Sequence, residues 1–331
     1  MEAAVNLPNS ARQLHYVIDD GSKVGEARRA AQTLANFEFS AEVAGKVAIA
    51  ATELANNQLN HAGGGELLMQ ILGAEDEATF ELIALDRGPG MQDIARCMTD
   101  GYSTGGTPGT GLGAVRRLAD DFDIFSAPGE GTIVMARFGA MPALRHGAIS
   151  IAMHGEVDCG DGWRVVKDAD GVSVFVVDGL GHGTFAHEAA EIGIGAFLQS
   201  PADPPTEILQ RANRLMSKTR GGAAATARFS GNTLTYAGVG NISGYMVAPG
   251  RSQGLMSHNG TLGMHQRHTQ QLDYRCEPGT LLVMHSDGLS ARWDIKNHPT
   301  LLHAHPAIIG AALYRDHVRG RDDATVVVVA L

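Results

Sequence analysis

Apolar and polar positions along this chain fall into two successive blocks of alternating helices and strands. In the first block, residues 24–37 read as a helix. A longer helix starts after Ser40, a fitting N-cap, and runs to about His61. Its apolar positions Val43, Val47, Ile49, Ala50 and Leu54 recur at helical spacing. Strand-like runs at 66–72 and 79–85 follow, joined by an acidic turn, and the second stops on Asp86 and the sequence Arg-Gly-Pro-Gly. A glycine-rich stretch at 100–113 then leads into a helix at 114–122 and closing strands at 123–126 and 132–138.

The second block opens with strands at 150–154, 163–167 and 174–177, and the third of these ends on Asp178 and a turn with glycine at 179, 181 and 183. Helices are expected at 182–199 and 205–219, and strands at 224–229, 233–239, 243–247 and 279–284. A helical region near 300–315 precedes Asp322, Asp323 and a final apolar run. Between the blocks, residues 140–147 carry a proline and read as a linker. The expected domains are therefore 1–139 and 148–331, two being the usual number for 331 residues.

Charge sharpens that division. Residues 1–139 hold 10 Lys and Arg against 19 Asp and Glu, a net of −9 out of −10 for the whole chain. Such a balance argues against nucleic acid as a partner. No apolar run approaches membrane-spanning length, and the first residues show no basic-then-apolar leader, so a cytoplasmic protein is expected. Three widely spaced cysteines, Cys97, Cys159 and Cys276, make neither a disulfide framework nor a zinc site and fit a reducing compartment.

Candidate chemistry sits at the ends of elements. Glu53 and Asn57 are four residues apart on one helix and share a face. The glycine-rich stretch lacks the lysine of a P-loop and the spacing of a Rossmann turn, so alone it is only a weak phosphate signal. In the second block Asp178, Asp287 and Asp322 with Asp323 lie at strand ends, and Asp161 sits in a glycine-flanked turn. Carboxylates gathered without compensation repel and raise each other's pKa. Hard divalent cations relieve that, and two of them about 3.5–4 Å apart make a centre for phosphate hydrolysis. Asp323 is expected to support the turn. Cys159 reads as a small packed residue, and His182 as a loop or cap residue.

The order Glu-Asn helix, strand ending in Asp-x-Gly-x-Gly, glycine-rich lid, helix, then Gly-Thr before a strand resembles the GHKL ATP-binding fold. Within it, Asp100-Gly-Tyr-Ser-Thr-Gly-Gly and Gly111-Leu-Gly-Ala-Val-Arg-Arg-Leu look most like the RsbT-type switch kinases. The resemblance implies ATP with Mg2+. Asn57 would hold the metal, Asp86 the adenine amino group, and Gly88 and Gly90 would let the backbone pass close to the base. Gly109, Gly111 and Gly113 would line the phosphates, with Thr132 a minor adenine-side contact. Glu53 would be the general base toward a substrate hydroxyl.

VVDGLGHG, SDG and DDATVVVV, opened by GEVDCGD, resemble the PPM family of metal-dependent Ser/Thr phosphatases in its SpoIIE/RsbX-type branch. That implies two Mn2+ or Mg2+ ions held by Asp161, Asp178, Asp287, Asp322 and the Gly179 carbonyl, and direct attack of water on the phosphate. The opening motif carries no arginine to grip the phosphate.

The implied fold is α+β: a GHKL α/β sandwich with helices on one face of a mixed sheet, then a PPM-type α/β/β/α sandwich. The implied partner is a STAS-domain anti-anti-sigma or stressosome-like phosphoprotein, with a sigma factor, a downstream phosphatase and a second copy of the chain in a homodimer as further candidates. An ATP-sensing first half without transfer, and a non-enzymatic docking module, stay open as alternatives.

Overall fold

The computed structural model describes residues 13–73, 77–98, 111–264, 269–296 and 298–331. Contacts divide the chain into two compact units, Met1–Ala143 and Leu144–Leu331.

The first unit begins with β1 (Leu14–Ile18), α1 (Gly21–Ala35) and α2 (Ala41–Asn57). Asp20 caps α1 by accepting from the Ser22 N–H at 2.6 Å, and Ser40 caps α2 by accepting from the Val43 N–H. After Asn57 the helix widens into a π turn over Gln58–Ala62 and stops at Gly63, where φ is +73°. The expected helix to His61 is thus two conformations. Gln58, at the change, donates through Nε2 to the carbonyls of Glu66 and Leu85 and ties the widened turn to the sheet.

The rest of the unit is β2 (Gly65–Leu72), β3 (Thr79–Leu85), α3 (Ile94–Cys97), α4 (Gly111–Leu118), β4 (Asp121–Ser126) and β5 (Thr132–Gly139). The sheet runs β1-β2-β3-β5-β4. Every pairing in it is antiparallel, so the expected mixed sheet is corrected. Connectivity accounts for two of the four pairings, since β2–β3 and β4–β5 have short connections, which cannot link parallel neighbours. The helices do pack on one face. Alanines 27, 31, 44, 51 and 55 bring α1 and α2 close over Leu67, Met69, Phe80, Leu82 and Phe138, all fully buried. Helix α4 starts three residues earlier than expected and ends sooner, because Phe122 pairs with Ala136 in β4–β5.

The second unit holds β6 (His146–Ile151), β7 (Asp161–Lys167), β8 (Val172–Gly179), α5 (Thr184–Leu198), α6 (Pro205–Leu215), β9 (Gly222–Ser230), β10 (Thr233–Val239), β11 (Ser243–Ala248) and β12 (Arg251–Leu255). It closes with β13 (Leu272–Arg275), β14 (Leu281–His285), α7 (Pro299–Leu302), α8 (Pro306–His317) and β15 (Ala324–Ala330). Two five-stranded antiparallel sheets form, β13-β10-β9-β8-β7 and β12-β11-β14-β15-β6. Helices α5 and α6 cover the first sheet and α8 covers the second. This is the α/β/β/α sandwich. Strand β6 begins inside the segment read as linker, and Gly147 is required there because a Cβ would stand 2.2 Å from Ala307 Cα in α8.

Candidate functional site

The strands of the second unit deliver their acidic ends to one edge of the sandwich. Asp161 opens β7 and stands opposite Asp178 at the end of β8. In the other sheet, His285 at the end of β14 pairs with Val326, so Asp287 and Asp322 leave from the same end of neighbouring strands. Ser286 stitches the sheets together. Its Oγ donates to Asp161 Oδ2 at 2.6 Å and accepts from the Thr325 N–H at 3.0 Å. Gly179 is held by its N–H to the Gly160 carbonyl, and a Cβ on it would meet the Ala186 carbonyl at 2.1 Å.

Electrostatically this edge is out of balance. Burial first, then the Asp287 and Asp322 charges, push Asp178 up to about 7, against a hydrogen bond from Asn241. Asp161, 6% exposed, is raised well above the usual carboxylate range by burial and then by Asp178, with Ser286 opposing. Asp323 is also raised by burial, but its two oxygens accept from the N–H groups of Met153 at 2.7 Å and Gly160 at 2.8 Å. It clamps the loop before β7.

Asn241 is a residue that sequence reasoning missed. Its Nδ2 donates to Asp287 Oδ2 at 2.7 Å and reaches Asp178 Oδ2 at 3.4 Å, bridging the two carboxylates. Gly-Asn between two strands reads as an ordinary turn, and nothing in its spacing marks it out. Among the described residues no three His, Cys, Asp or Glu side chains stand grouped so as to hold a metal ion. The donor set still fits hard divalent cations: all-oxygen, multiply anionic, and two of its members destabilised by burial and mutual repulsion.

In the first unit, Glu53 and Asn57 face the start of α4. A Cβ on Gly111 would lie 3.0 Å from Glu53 Oε2 and 3.3 Å from the Asn57 amide. Asn57 Nδ2 is buried and has no hydrogen-bond partner among the described residues. An unpaired amide aimed at a glycine-lined helix start fits a polar ligand. Asp86, just past β3, accepts through Oδ1 from the N–H of Gly88 at 2.9 Å and of Thr132 at 3.1 Å, so the Asp86 turn and the start of β5 are one structure. Gly90, with φ of +70°, passes so close to Ala127 that a Cβ would sit 1.9 Å from its carbonyl oxygen. Gly113 lies buried in α4, while Gly109 falls outside the described residues.

Comparison with known proteins gives the same division. Residues 19–138 match the histidine kinase-like ATPase domain, and residues 168–331 match the stage II sporulation protein E (SpoIIE) family. The chain is 40% identical over 91 residues to the serine/threonine-protein kinase RsbT of Bacillus subtilis (strain 168), spanning 28% of this chain and 68% of that protein. It is 31% identical over 150 residues to the phosphoserine phosphatase RsbX of the same organism, spanning 44% of this chain and 73% of that protein. Among solved structures, it resembles a chain of the bacterial stressosome, described as a modular system adapted to control secondary messenger signalling. That likeness has 27% identity and a TM-score of 0.53, over 57% of this chain and all of the other. It also shares the fold of RsbX crystallised with magnesium, at 23% identity and a TM-score of 0.50, over 56% and 93% of the two chains. The molecule is thus a phosphatase-class enzyme preceded by a kinase-like ATPase unit. It belongs to the histidine kinase-like ATPase family through its first unit and to the SpoIIE-type PPM phosphatases through its second.

Proposed function

We propose that this chain is a two-activity regulator of a bacterial partner-switching pathway controlling a sigma factor. The second unit removes phosphate from serine or threonine of a STAS-domain, stressosome-like protein, and the first unit places it there from ATP. The observation that carries the phosphatase reading is the meeting of Asp161, Asp178, Asp287 and Asp322 at one sandwich edge, with Asp178 pushed up to about 7 by burial and by its neighbours' charges.

Asp161, Asp178, Asp287, Asp322 and the Gly179 carbonyl would hold two Mn2+ or Mg2+ ions, which bring the charge compensation and Lewis acidity that hydrolysis of a phosphate monoester needs. Around them, Ser286 keeps Asp161 turned inward, Asp323 fixes the loop before β7, and Asn241 holds Asp178 and Asp287 together. In the first unit, Asn57 would take the Mg2+ of ATP and Asp86 the adenine amino group. Gly88, Gly90 and Thr132 would line the base, and Gly109, Gly111 and Gly113 the phosphates. Glu53 accepts the proton of the substrate hydroxyl as its oxygen bonds to the terminal phosphorus and ADP leaves.

Two assays decide this. Hydrolysis of a phosphorylated STAS protein or a small aryl phosphate should need Mn2+ or Mg2+, stop with a chelator, and fall more than about 100-fold in Asp178→Asn. Activity that survives that change defeats the phosphatase reading. Labelled ATP should mark a STAS partner through the wild-type chain and not through Glu53→Gln. Bound ATP without transfer to any partner would leave the first unit a sensor.

A further inference from the structure

The opening motif offers no cation for the phosphate, yet one guanidinium stands beside the Asp178 turn. Arg220 lies just before β9, whose Gly222 pairs with Gly179. The Leu180 N–H donates to the Gly221 carbonyl at 2.9 Å, which pins the Arg220 segment along that turn. The guanidinium reaches Gly181, where a Cβ would be 3.1 Å from Nη1. It rests on the exposed ring of Phe185, with Cζ 5.0 Å from the centroid.

Arg220 forms no ion pair or hydrogen bond among the described residues, although the Asp178 turn it borders adjoins the acidic edge of the sandwich. Two other arginines of this unit are ion-paired, Arg228 to Asp168 and Arg211 to Asp203. Phe185 is 61% exposed in the first turn of α5, and Leu180 and Val157 are 50% and 65% exposed on the loops around it. These two loops are fastened by His182 Nδ1 to Glu156 Oε1 at 2.7 Å and by Thr184 Oγ1 donating to Asp158 Oδ2 at 3.0 Å. A large apolar side chain left in water beside fastened loops, with a cation held on its face, is a poor contribution to stability and a good mount for a ligand-binding charge.

We infer that Arg220, positioned by the Phe185 ring, receives the phosphoryl oxygens of the phosphorylated residue at the Asp178 site, with Val157 and Leu180 bordering the segment that carries it. A planar guanidinium presents two parallel donors to a phosphoryl group, which matches it better than a point charge does. The inference rests on the phosphatase reading of this unit and adds the group that holds its substrate.

The test uses the full chain with Mg2+ and inorganic phosphate as the probe, titrated by calorimetry. Arg220→Ala should weaken phosphate binding by between about tenfold and about 100-fold, as loss of a charge-assisted contact does. Arg220→Lys should retain part of the affinity, and Phe185→Leu should lose several-fold. On an aryl phosphate, Arg220→Ala should raise KM and the inhibition constant of phosphate together while kcat changes far less, and the unfolding midpoint should stay put. Phosphate affinity equal in wild type and Arg220→Ala overturns the inference, whatever the activity. A wild-type chain that binds phosphate through Arg220 but hydrolyses nothing overturns the phosphatase reading instead.

Discussion

At the scale of single residues, charge is buried in this protein in two different ways. In the first unit Gln70, Glu81 and Arg137 stand side by side on β2, β3 and β5, and Glu81 and Arg137 are 0% and 1% exposed. The Arg137 guanidinium donates to Glu81 Oε2 from Nε at 2.8 Å and from Nη2 at 2.6 Å, and Gln70 Nε2 donates to Oε1 at 2.7 Å. This site is internally balanced. The Asp161–Asp178 edge is not, and burial there raises pKa values. The balanced set therefore predicts a stability effect. Glu81→Leu strands a buried guanidinium and should cost about 3–5 kcal/mol, while adding Arg137→Met should recover much of that. Hydrogen exchange at the amides of β2, β3 and β5 measures it, and unchanged protection in Glu81→Leu would refute the assignment. Sequence patterning cannot anticipate the pair: Glu81 and Arg137 interrupt apolar strands and are 56 residues apart. The four aspartates that share the sandwich edge stood out in the sequence as candidates because each adjoins glycine or a strand end. Asn241 did not.

At the scale of elements, legibility tracks burial. Strands β8, β14 and β15 are almost wholly buried, and their apolar runs announce them. Strands β12 and β13 sit at sheet edges, carry sequences such as Arg-Ser-Gln-Gly-Leu, and were not anticipated, because an edge strand exposes one side and needs no apolar alternation. Strand β6 was anticipated only at its end, within the strand expected at 150–154, because its first residues, His146 and Gly147, follow a proline-containing stretch whose composition reads as linker. The turn between β4 and β5, which packs against Asp86, shows what glycine contributes to a site. Gly129 and Gly131 both have positive φ, +82° and +75°, but a Cβ on Gly129 meets nothing within 4 Å, whereas on Gly131 it lies 2.1 Å from the Asp86 carbonyl. Gly129→Ala should cost only the backbone term, about 1 kcal/mol. Gly131→Ala must also push Asp86 away and should lower ATP affinity by more than about tenfold, as read by calorimetry on the full chain. Equal affinities in the two variants would mean that the Asp86 turn does not serve the nucleotide.

At the scale of the whole molecule, a kinase-like ATPase unit and a phosphatase unit share one chain, and the proposed opposition of the two is measurable in ATP consumption. If one unit writes a phosphate that the other erases from the same serine or threonine, the wild-type chain with a STAS-domain substrate, ATP and Mg2+ will release ADP continuously. The substrate is then returned unmodified at every cycle and never runs out. Asp178→Asn blocks the erasing step, so ADP release should stop after about one equivalent per substrate hydroxyl, with the substrate left fully phosphorylated. Glu53→Gln blocks the writing step, so ADP release should be absent from the start while added phosphoprotein is still cleared. The stoichiometry distinguishes two arrangements that share every residue described above. A burst that ends at one equivalent in the wild type would mean that the two units act on different proteins. ADP release in Asp178→Asn that runs past one equivalent would mean that Glu53 activates water in place of a hydroxyl, and the first unit would then be an ATPase rather than a kinase.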